Sequence, residues 1–368
     1  MNREGRKILM ASARYVPDRG GTEIHTREVA QRLAAGGWDV TVVSSTADGR
    51  LPPESADGPV RVLRVRAWPP GSDLRLAPSL LGLVRSERPA LVHCHGYHTF
   101  FCPMAMFGAL RARIPYVVTL HSGGHSSAFR RLIRPLQAWL LRPLLRRAQR
   151  IIAVSEFEAD LFSRRLRLPR SAFAVIPSGV ELPAAPGEPV RPGPPEVVSV
   201  GRLESYKGHD RVVAAMPTLT HACPGIRLRV LGSAGNELEL RRLAARLGVS
   251  EAVEISAVPP EHRGALGRVL NGAAVVVALS DYESQGLAIQ EALGLGRPVL
   301  VSDSSALAEL KRHDNVIALP KSADSERVAA AILQLVRAPP AKPPVLPTWD
   351  DCVGAVTDVY EQALAGTR

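Results

Sequence analysis

The chain has 368 residues, a formal net charge of +11 at pH 7, and 46% hydrophobic but only 5% aromatic residues. This length favours two domains, and no apolar run approaches the roughly 18 residues that a transmembrane helix needs. The first residues lack the long apolar stretch of a secretory signal. The four cysteines include no C-x-x-C pair, which argues against a disulfide framework or a zinc site built on cysteine. We therefore expect a cytoplasmic protein.

Most of the positive charge is carried by arginine, since the lysines stand only at positions 7, 207, 311, 321 and 342. Basic proteins often bind nucleic acids or anionic membranes. No stacked aromatic platform or other nucleic-acid module accompanies the charge, so no nucleic-acid partner is expected.

The first residues predict a β-α-β unit, with strands at residues 7–13 and 38–45. Between them, a loop with Gly20 and Gly21 leads into an amphipathic helix for which Thr22 is the expected N-cap. The glycine pair either turns the chain or brings backbone donors to a phosphate. It does not match G-x-G-x-x-G, so no nicotinamide cofactor is implied.

Further strands are predicted at residues 60–67, 90–96 and 116–124, and two of them end close to histidine and glycine. His93 and His95 share one face of their strand, which would suit a metal, but no third ligand is evident at matching spacing. His121 lies at the carboxyl end of a strand, where ligands bind in open α/β sheets. There it either donates a hydrogen bond to a substrate or serves as a structural histidine.

The densest basic segment runs from Phe129 to Arg150 and interleaves arginine with leucine and Trp139. Pro135 and Pro143 interrupt it, so we predict two short helical pieces rather than one helix. The segment is either an ordinary amphipathic element with arginines facing water or a contact with an anionic membrane surface.

After a strand and helix at residues 150–162, with Ser155 and Glu158 spaced as a capping box, the first domain is predicted to end at residue 181. Proline-rich residues 182–195 read as a linker. The second domain, residues 196–340, again alternates apolar strands with helices, and a helix is predicted over residues 348–364. This pattern predicts an α/β protein with two doubly wound parallel sheets.

The most informative segment is residues 280–309, which follow a continuously apolar strand. A helix is predicted to begin near Gly286, with Ser284 as its N-cap. The first-turn amides of such a helix suit an anionic group; here they belong to Gln285, Gly286 and Leu287.

Charged side chains surround this helix start. Glu283 and Glu291 either face one crevice, where carboxylates accept hydrogen bonds from sugar hydroxyls, or are solvated helix charges. Arg202 and Lys207, five residues apart past another strand end, suit a diphosphate. An ordinary surface pair of cations is the alternative.

Seven segments in this order resemble glycosyltransferase family 4, the retaining nucleotide-sugar transferases of the GT-B fold, over nearly the whole chain. They are GGTEIHTREVAQRLAAGGWDVTVV, ALVHCHG, VVTLHSGG, IIAVSEFE, VIPSGVE, VGRLESYKG, and the E-x7-E element from Glu283 to Glu291 followed by GRPVLVSD. Two departures stand out: this family usually has an aromatic residue at Gln285 and a glycine near Ser304 and Ser305.

The resemblance implies two Rossmann-like domains facing each other across a cleft. Residues 1–181 would form the acceptor side and residues 196–340 the donor side, with the helix at 348–366 packing back on the first domain. It also implies roles in donor binding. Arg202 and Lys207 would hold the diphosphate, Glu291 would bind the ribose, and Glu283 with the amides of Gln285, Gly286 and Leu287 would hold the sugar hydroxyls and phosphate. His121 would contact the sugar near its reacting carbon, and the loop with Gly20 and Gly21 would close over the phosphates.

No D-x-D triplet occurs in the chain, so we expect Arg202 and Lys207 to replace a divalent metal, with neither metal nor cofactor required. The expected reaction is retaining transfer of a hexosyl group from a UDP-sugar, or secondly a GDP-sugar. The expected acceptor is a cell-envelope, exopolysaccharide or lipid-linked glycan, with the protein at the inner face of the membrane. A small natural-product acceptor is the alternative substrate. The alternative functions are an epimerase, a phosphorylase or a catalytically silent nucleotide-sugar-binding protein on the same fold, or a membrane-surface interaction protein.

Overall fold

The structure is a computed structural model. It describes residues 6–18, 20–46, 51–69, 74–121, 128–180, 193–233, 235–257, 263–338 and 342–366, with only the backbone at 128–135 and 263. Most of the expected linker, and most of the loop after His121, lie outside these ranges. The described chain forms two compact units: one contains residues 6–121, 129–179 and 347–366, and the other contains residues 180–346.

The first unit contains an eight-stranded sheet of order β3-β4-β2-β1-β5-β6-β7-β8 among the described residues. Its strands are β1 (Lys7–Ser12), β2 (Asp39–Thr46), β3 (Glu54–Asp57), β4 (Val60–Arg66), β5 (Leu91–His95), β6 (Tyr116–Thr119), β7 (Arg150–Ala153) and β8 (Phe173–Val175). Neighbouring strands are parallel apart from β3, which pairs antiparallel with β4 at the edge. The connecting helices are α1 (Gly21–Ala35), α2 (Ser79–Glu87), α3 (Phe101–Ala112), α4 (Ala128–Leu145) and α5 (Glu156–Leu166).

The second unit is built on a parallel six-stranded sheet of order β11-β10-β9-β12-β13-β14. Its strands are β9 (Glu196–Val200), β10 (Arg227–Leu231), β11 (Val253–Ser256), β12 (Val275–Ala278), β13 (Val299–Ser302) and β14 (Val316–Leu319). Its helices are α6 (His209–Ala222), α7 (Glu237–Arg246), α8 (Arg263–Gly272), α9 (Leu287–Gly294) and α10 (Ser325–Arg337). The predicted class, two doubly wound α/β sheets, is therefore confirmed.

The last helix, α11 (Trp349–Ala365), belongs to the first unit. It packs beside α1, and its buried side chains, among them Trp349, Val356 and Tyr360, join the apolar core on one face of the first sheet. The hydroxyl of Tyr360 lies 2.6 Å from Nδ1 of the buried His93. A capping box between Thr348 and Asp351 sets its first turn.

Two local predictions are wrong. Helix α4 is continuous over the 18 residues Ala128–Leu145 in spite of Pro135 and Pro143, because burial of Ala138 and Leu145 in the core offsets the lost backbone hydrogen bonds. The cap of α1 is Gly20 rather than Thr22, because the helix already begins at Gly21. Across the described ranges, no helix combines the length and the apolar character needed to cross a membrane.

Candidate active site

The strand order of the second sheet reverses between β9 and β12, because β10 and β11 lie on one side of this pair and β13 and β14 on the other. Ligands of open α/β sheets bind at such a switch point, beyond the carboxyl ends of the strands. The loop after β9 carries Arg202 and Lys207, and the loop after β12 carries Glu283 and Gly286. The fold thus brings together two segments that lie far apart in sequence.

An ion pair links these two loops. Lys207 Nζ lies 2.5 Å from Glu283 Oε1, and the two side chains are only 13% and 18% exposed. The Ser280 hydroxyl donates a second hydrogen bond to the same oxygen at 2.9 Å. The interpretation of Glu283 as a solvated helix charge is therefore wrong, and Lys207 and Glu283 form one hydrogen-bonded unit.

Arg202 is the more accessible of the two predicted cations. Its Nη1 lies 2.7 Å from a Glu204 carboxylate oxygen while the side chain is 57% exposed, and its Nη2 donates to the Tyr206 hydroxyl at 2.7 Å. Arg202 therefore offers an exposed guanidinium, whereas Lys207 offers a largely buried ammonium group.

His209, which sequence reasoning missed, is hydrogen-bonded to the backbone of this loop. Its buried ring donates from Nε2 to the Arg202 carbonyl at 3.2 Å, and its Nδ1 accepts from the Ser199 hydroxyl at 2.8 Å. Burial lowers the pKa of His209, so the ring is neutral at pH 7. The available signal was its place at the first position of a helix, directly after the loop.

Gly286 sets the start of α9 and replaces Ser284 as the N-cap. Its φ of +77° is in the left-handed region, which favours glycine. Leu287 opens the helix. The N-terminus of α9 therefore follows the loop that carries Glu283, while Gln285 and Gly286 precede the first turn.

Two further predicted donor residues of the second unit, Glu291 and Gln285, are buried. Glu291 is 5% exposed on the second turn of α9, which excludes a solvated charge. Gln285 is 4% exposed, and its side-chain amide lies 3.4 Å from Gln290 Oε1. A glutamine therefore fills an interior position here, where the family resemblance leads to an aromatic residue.

Ser305 supports the β12 loop in an unusual way. Its φ is +53°, a conformation that side chains rarely adopt, at the place where the resemblance leads to glycine. Its hydroxyl accepts a hydrogen bond from the Glu283 amide at 2.9 Å and donates one to the Ser304 carbonyl at 2.7 Å. The departure from glycine is thus compensated by contacts that fix the backbone of Glu283.

In the first unit, the strand order reverses between β1 and β5. Gly20 and Gly21 lie in the segment after β1, and a Cβ on Gly20 would overlap the buried carboxylate of Glu23. A buried carboxylate in the first turn of α1 therefore lies against Gly20, which the sequence prediction did not include.

His121 lies two residues after β6 with a φ of +46°. Its Nε2 is 3.1 Å from His95 Nδ1, and its ring centroid is 4.5 Å from that of His25. His95 therefore lies beside His25 and His121, two neighbours that the sequence spacing did not reveal. His93 instead contacts Tyr360 and, through Nε2, the Thr119 hydroxyl at 2.8 Å.

Two family models match the chain: "Glycosyltransferase Family 4" over residues 19–183 and "Glycosyl transferases group 1" over residues 185–343. The D-inositol 3-phosphate glycosyltransferase of Nocardia farcinica is 30% identical over 80% of this chain and 72% of its own. The glycogen synthase of Mycobacterium tuberculosis H37Rv is 29% identical over 91% of this chain and 87% of its own.

Among solved structures, Anabaena Alr3699/HepE in complex with UDP-glucose has the same fold, with a TM-score of 0.70 and 17% identity over 98% of this chain and 94% of that one. The fold and the sequence matches together define a nucleotide-sugar glycosyltransferase of the GT-B class. The chain belongs to glycosyltransferase family 4.

Proposed function

We propose that this protein is a retaining hexosyltransferase that takes its sugar from a UDP-sugar, or secondly from a GDP-sugar. The observation that carries the proposal is the ion pair between Lys207 and Glu283 at the switch point, beside the N-terminus of α9. The cation and the helix amides suit a diphosphate, and the carboxylate suits sugar hydroxyls. The UDP-glucose in the structurally similar Anabaena protein supports UDP as the nucleotide.

The reaction breaks the bond between the anomeric carbon and the diphosphate oxygen. The leaving diphosphate gains negative charge, so Arg202, Lys207 and the first-turn amides of α9 stabilise the transition state more than the ground state. This arrangement is proposed to work without a metal or cofactor. Glu291 binds the ribose, and His121 hydrogen-bonds the donor sugar. Retention follows if the acceptor hydroxyl attacks the face from which the diphosphate departs and passes its proton to a leaving phosphate oxygen.

For the acceptor we propose a hydroxyl of a cell-envelope, exopolysaccharide or lipid-linked glycan, reached at the inner face of the membrane. Exposed apolar side chains on α4 support a membrane contact: Leu136 is 56%, Trp139 66% and Leu140 59% exposed. Arginines on the same helix would attract anionic lipid headgroups.

The first test is thermal unfolding with a panel of UDP-, GDP-, dTDP- and ADP-sugars, since a ligand at about 100 times its Kd stabilises by roughly 2.7 kcal/mol. One nucleotide series should raise Tm, and Lys207→Ala and Glu291→Ala should remove the shift. Lys311→Ala is the matched control, because Lys311 pairs with Asp303 on the surface.

Turnover measures the role of Lys207 directly. We expect Lys207→Ala to lower kcat by about 100-fold or more, the range for loss of one donor to a developing charge. Because the change also leaves Glu283 unpaired, Glu283→Gln and the double variant complete a cycle that separates the two effects. A kcat within about threefold of wild type would show that Lys207 does not stabilise the leaving group.

A further inference from the structure

Three histidines from three different elements of the first unit converge: His25 from α1, His95 from the end of β5, and His121 from the segment after β6. One ring nitrogen from each lies within 4.8 Å of the others. His95 Nδ1 and His121 Nε2 are 3.1 Å apart, close to the roughly 3.4 Å between two ligands of a tetrahedral zinc ion with bonds of about 2.05 Å.

One ring nitrogen that can bind the cation is unsatisfied. Within the described part of the chain, His25 Nε2 is buried without a hydrogen-bond partner, although leaving a buried polar atom unpaired costs about 1–3 kcal/mol. Nδ1 of His25 lies 2.9 Å from the Ser178 hydroxyl. A metal-binding histidine shows the same arrangement, in which the second nitrogen is hydrogen-bonded and fixes the ring.

The cluster also has the right protonation state for a cation. Burial lowers the pKa of His25 to about 4. Burial and then the neighbouring histidines lower the pKa of His95 and His121 well below their usual value. All three rings are therefore neutral at pH 7, with lone pairs available for a metal.

We propose that His25, His95 and His121 bind a late first-row divalent cation, for which Zn²⁺ is the appropriate probe. Imidazole ligands suit zinc, nickel and copper better than magnesium or calcium. Three histidines leave a fourth coordination position open to water.

The site has a regulatory consequence, which rests on the proposed function. A cation bound through His121 occupies a ring nitrogen of the residue proposed to hydrogen-bond the donor sugar. Zn²⁺ therefore inhibits transfer reversibly, and chelation restores it.

The test begins with metal-free full-length protein and measures Zn²⁺ binding by calorimetry without any sugar nucleotide. We expect one ion per chain. Ser178→Ala removes only the partner of a ligand and should raise the Kd for Zn²⁺ by about 10–100-fold. His25→Gln and His95→Gln each remove a ligand and should raise it by about 100-fold or more. His221→Gln removes an exposed histidine outside the cluster and should leave Kd unchanged.

Co²⁺ provides a second readout, which reports the ligands around the ion rather than the stability of the variants. Co²⁺ in a four-coordinate site rich in nitrogen absorbs visible light intensely, and displacement by Zn²⁺ abolishes this absorption. The proposal would be overturned if wild type did not bind Zn²⁺ stoichiometrically. It would also be overturned if folded His25→Gln and His95→Gln bound Zn²⁺ as tightly as wild type does. Binding without inhibition of an active enzyme would overturn only the regulatory consequence. If the metal-free protein did not bind any sugar nucleotide, that result would count against the proposed function and not against the metal site.

Discussion

Ser305 combines a strained backbone with two useful hydrogen bonds. A left-handed conformation costs a residue with a Cβ about 1–2 kcal/mol relative to glycine, while the Ser305 hydroxyl binds the Glu283 amide. Ser305→Ala keeps the strain and loses the bonds, whereas Ser305→Gly loses the bonds and the strain. We therefore expect the alanine variant to be less stable than the glycine variant by about 1–2 kcal/mol in thermal unfolding. The reverse order would show that the backbone at this position relaxes without strain.

His209 makes the second unit sensitive to acid. Burial lowers its folded-state pKa most; the hydrogen bond to the Arg202 carbonyl opposes this shift, the positive charge of Lys207 adds to it, and Asp210 opposes it. The unfolded chain therefore binds the proton first. Stability from His209 is fully present above about pH 6.5 and falls by up to about 1.4 kcal/mol per pH unit below it, until the lower folded pKa is reached.

We expect wild type to lose more Tm than His209→Gln between about pH 7.5 and pH 5.5. Comparing the two proteins cancels the contribution of the buried histidines in the first unit. Equal losses would show that the His209 ring is not protonated on unfolding. Asp210→Asn is a useful control, because it removes only the nearby carboxylate.

Single residues of the site were predictable where one local pattern determines them. Gly286 follows an apolar strand and precedes a helix, and Glu291 falls one turn inside that helix. The Lys207–Glu283 pair was not predictable, because it depends on β9 and β12 being neighbours. His25 was missed for the same reason, since only the fold brings α1 beside His95 and His121.

At the scale of one element, α4 presents exposed apolar side chains beside arginines. If this face contacts membrane, Trp139→Ser with Leu140→Ser should lower the fraction of protein that sediments with anionic vesicles by about tenfold or more, since each buried apolar side chain contributes about 1.5–3 kcal/mol. Leu238→Ser on α7 is the matched control, because Leu238 is equally exposed, at 60%, on the second unit. Equal vesicle binding by the three proteins would remove α4 from the membrane contact.

The helices and strands that could be predicted from the sequence are those with a clear pattern of apolar residues. Strand β12 is the continuously apolar strand predicted just before residue 280. Strand β3 was missed because its four residues, ESAD, show no apolar pattern and pair only at a sheet edge. In α4, tertiary packing of residues such as Leu145 outweighs two prolines, which no local rule could show.

At the scale of the molecule, α11 completes the first unit by a close backbone contact. A Cβ on Gly179 would overlap the backbone of Trp349 at the start of α11. Gly179→Ala should therefore destabilise the first unit by about 1–3 kcal/mol, the usual cost of overpacking. The backbone conformation itself accepts alanine, so the effect isolates the packing of the helix.

Gly354→Ala is the matched control, since a Cβ there meets nothing within 4 Å. It should be neutral or stabilise by about 0.5–1 kcal/mol, because alanine is the better helix former. Hydrogen exchange resolved by unit is the appropriate readout, since a two-unit protein need not unfold in one step. Faster exchange in the second unit than in the first after Gly179→Ala would contradict the assignment.

The position of α11 has a consequence for biosynthesis. Domains usually fold in the order in which the ribosome releases them, but residues 349–365 are translated after the whole second unit. Until they emerge, the face of the first sheet that buries Trp349, Val356 and Tyr360 stays uncovered. The second unit can therefore finish folding first, while the first unit still exposes an apolar face that a nascent-chain chaperone would be suited to shield.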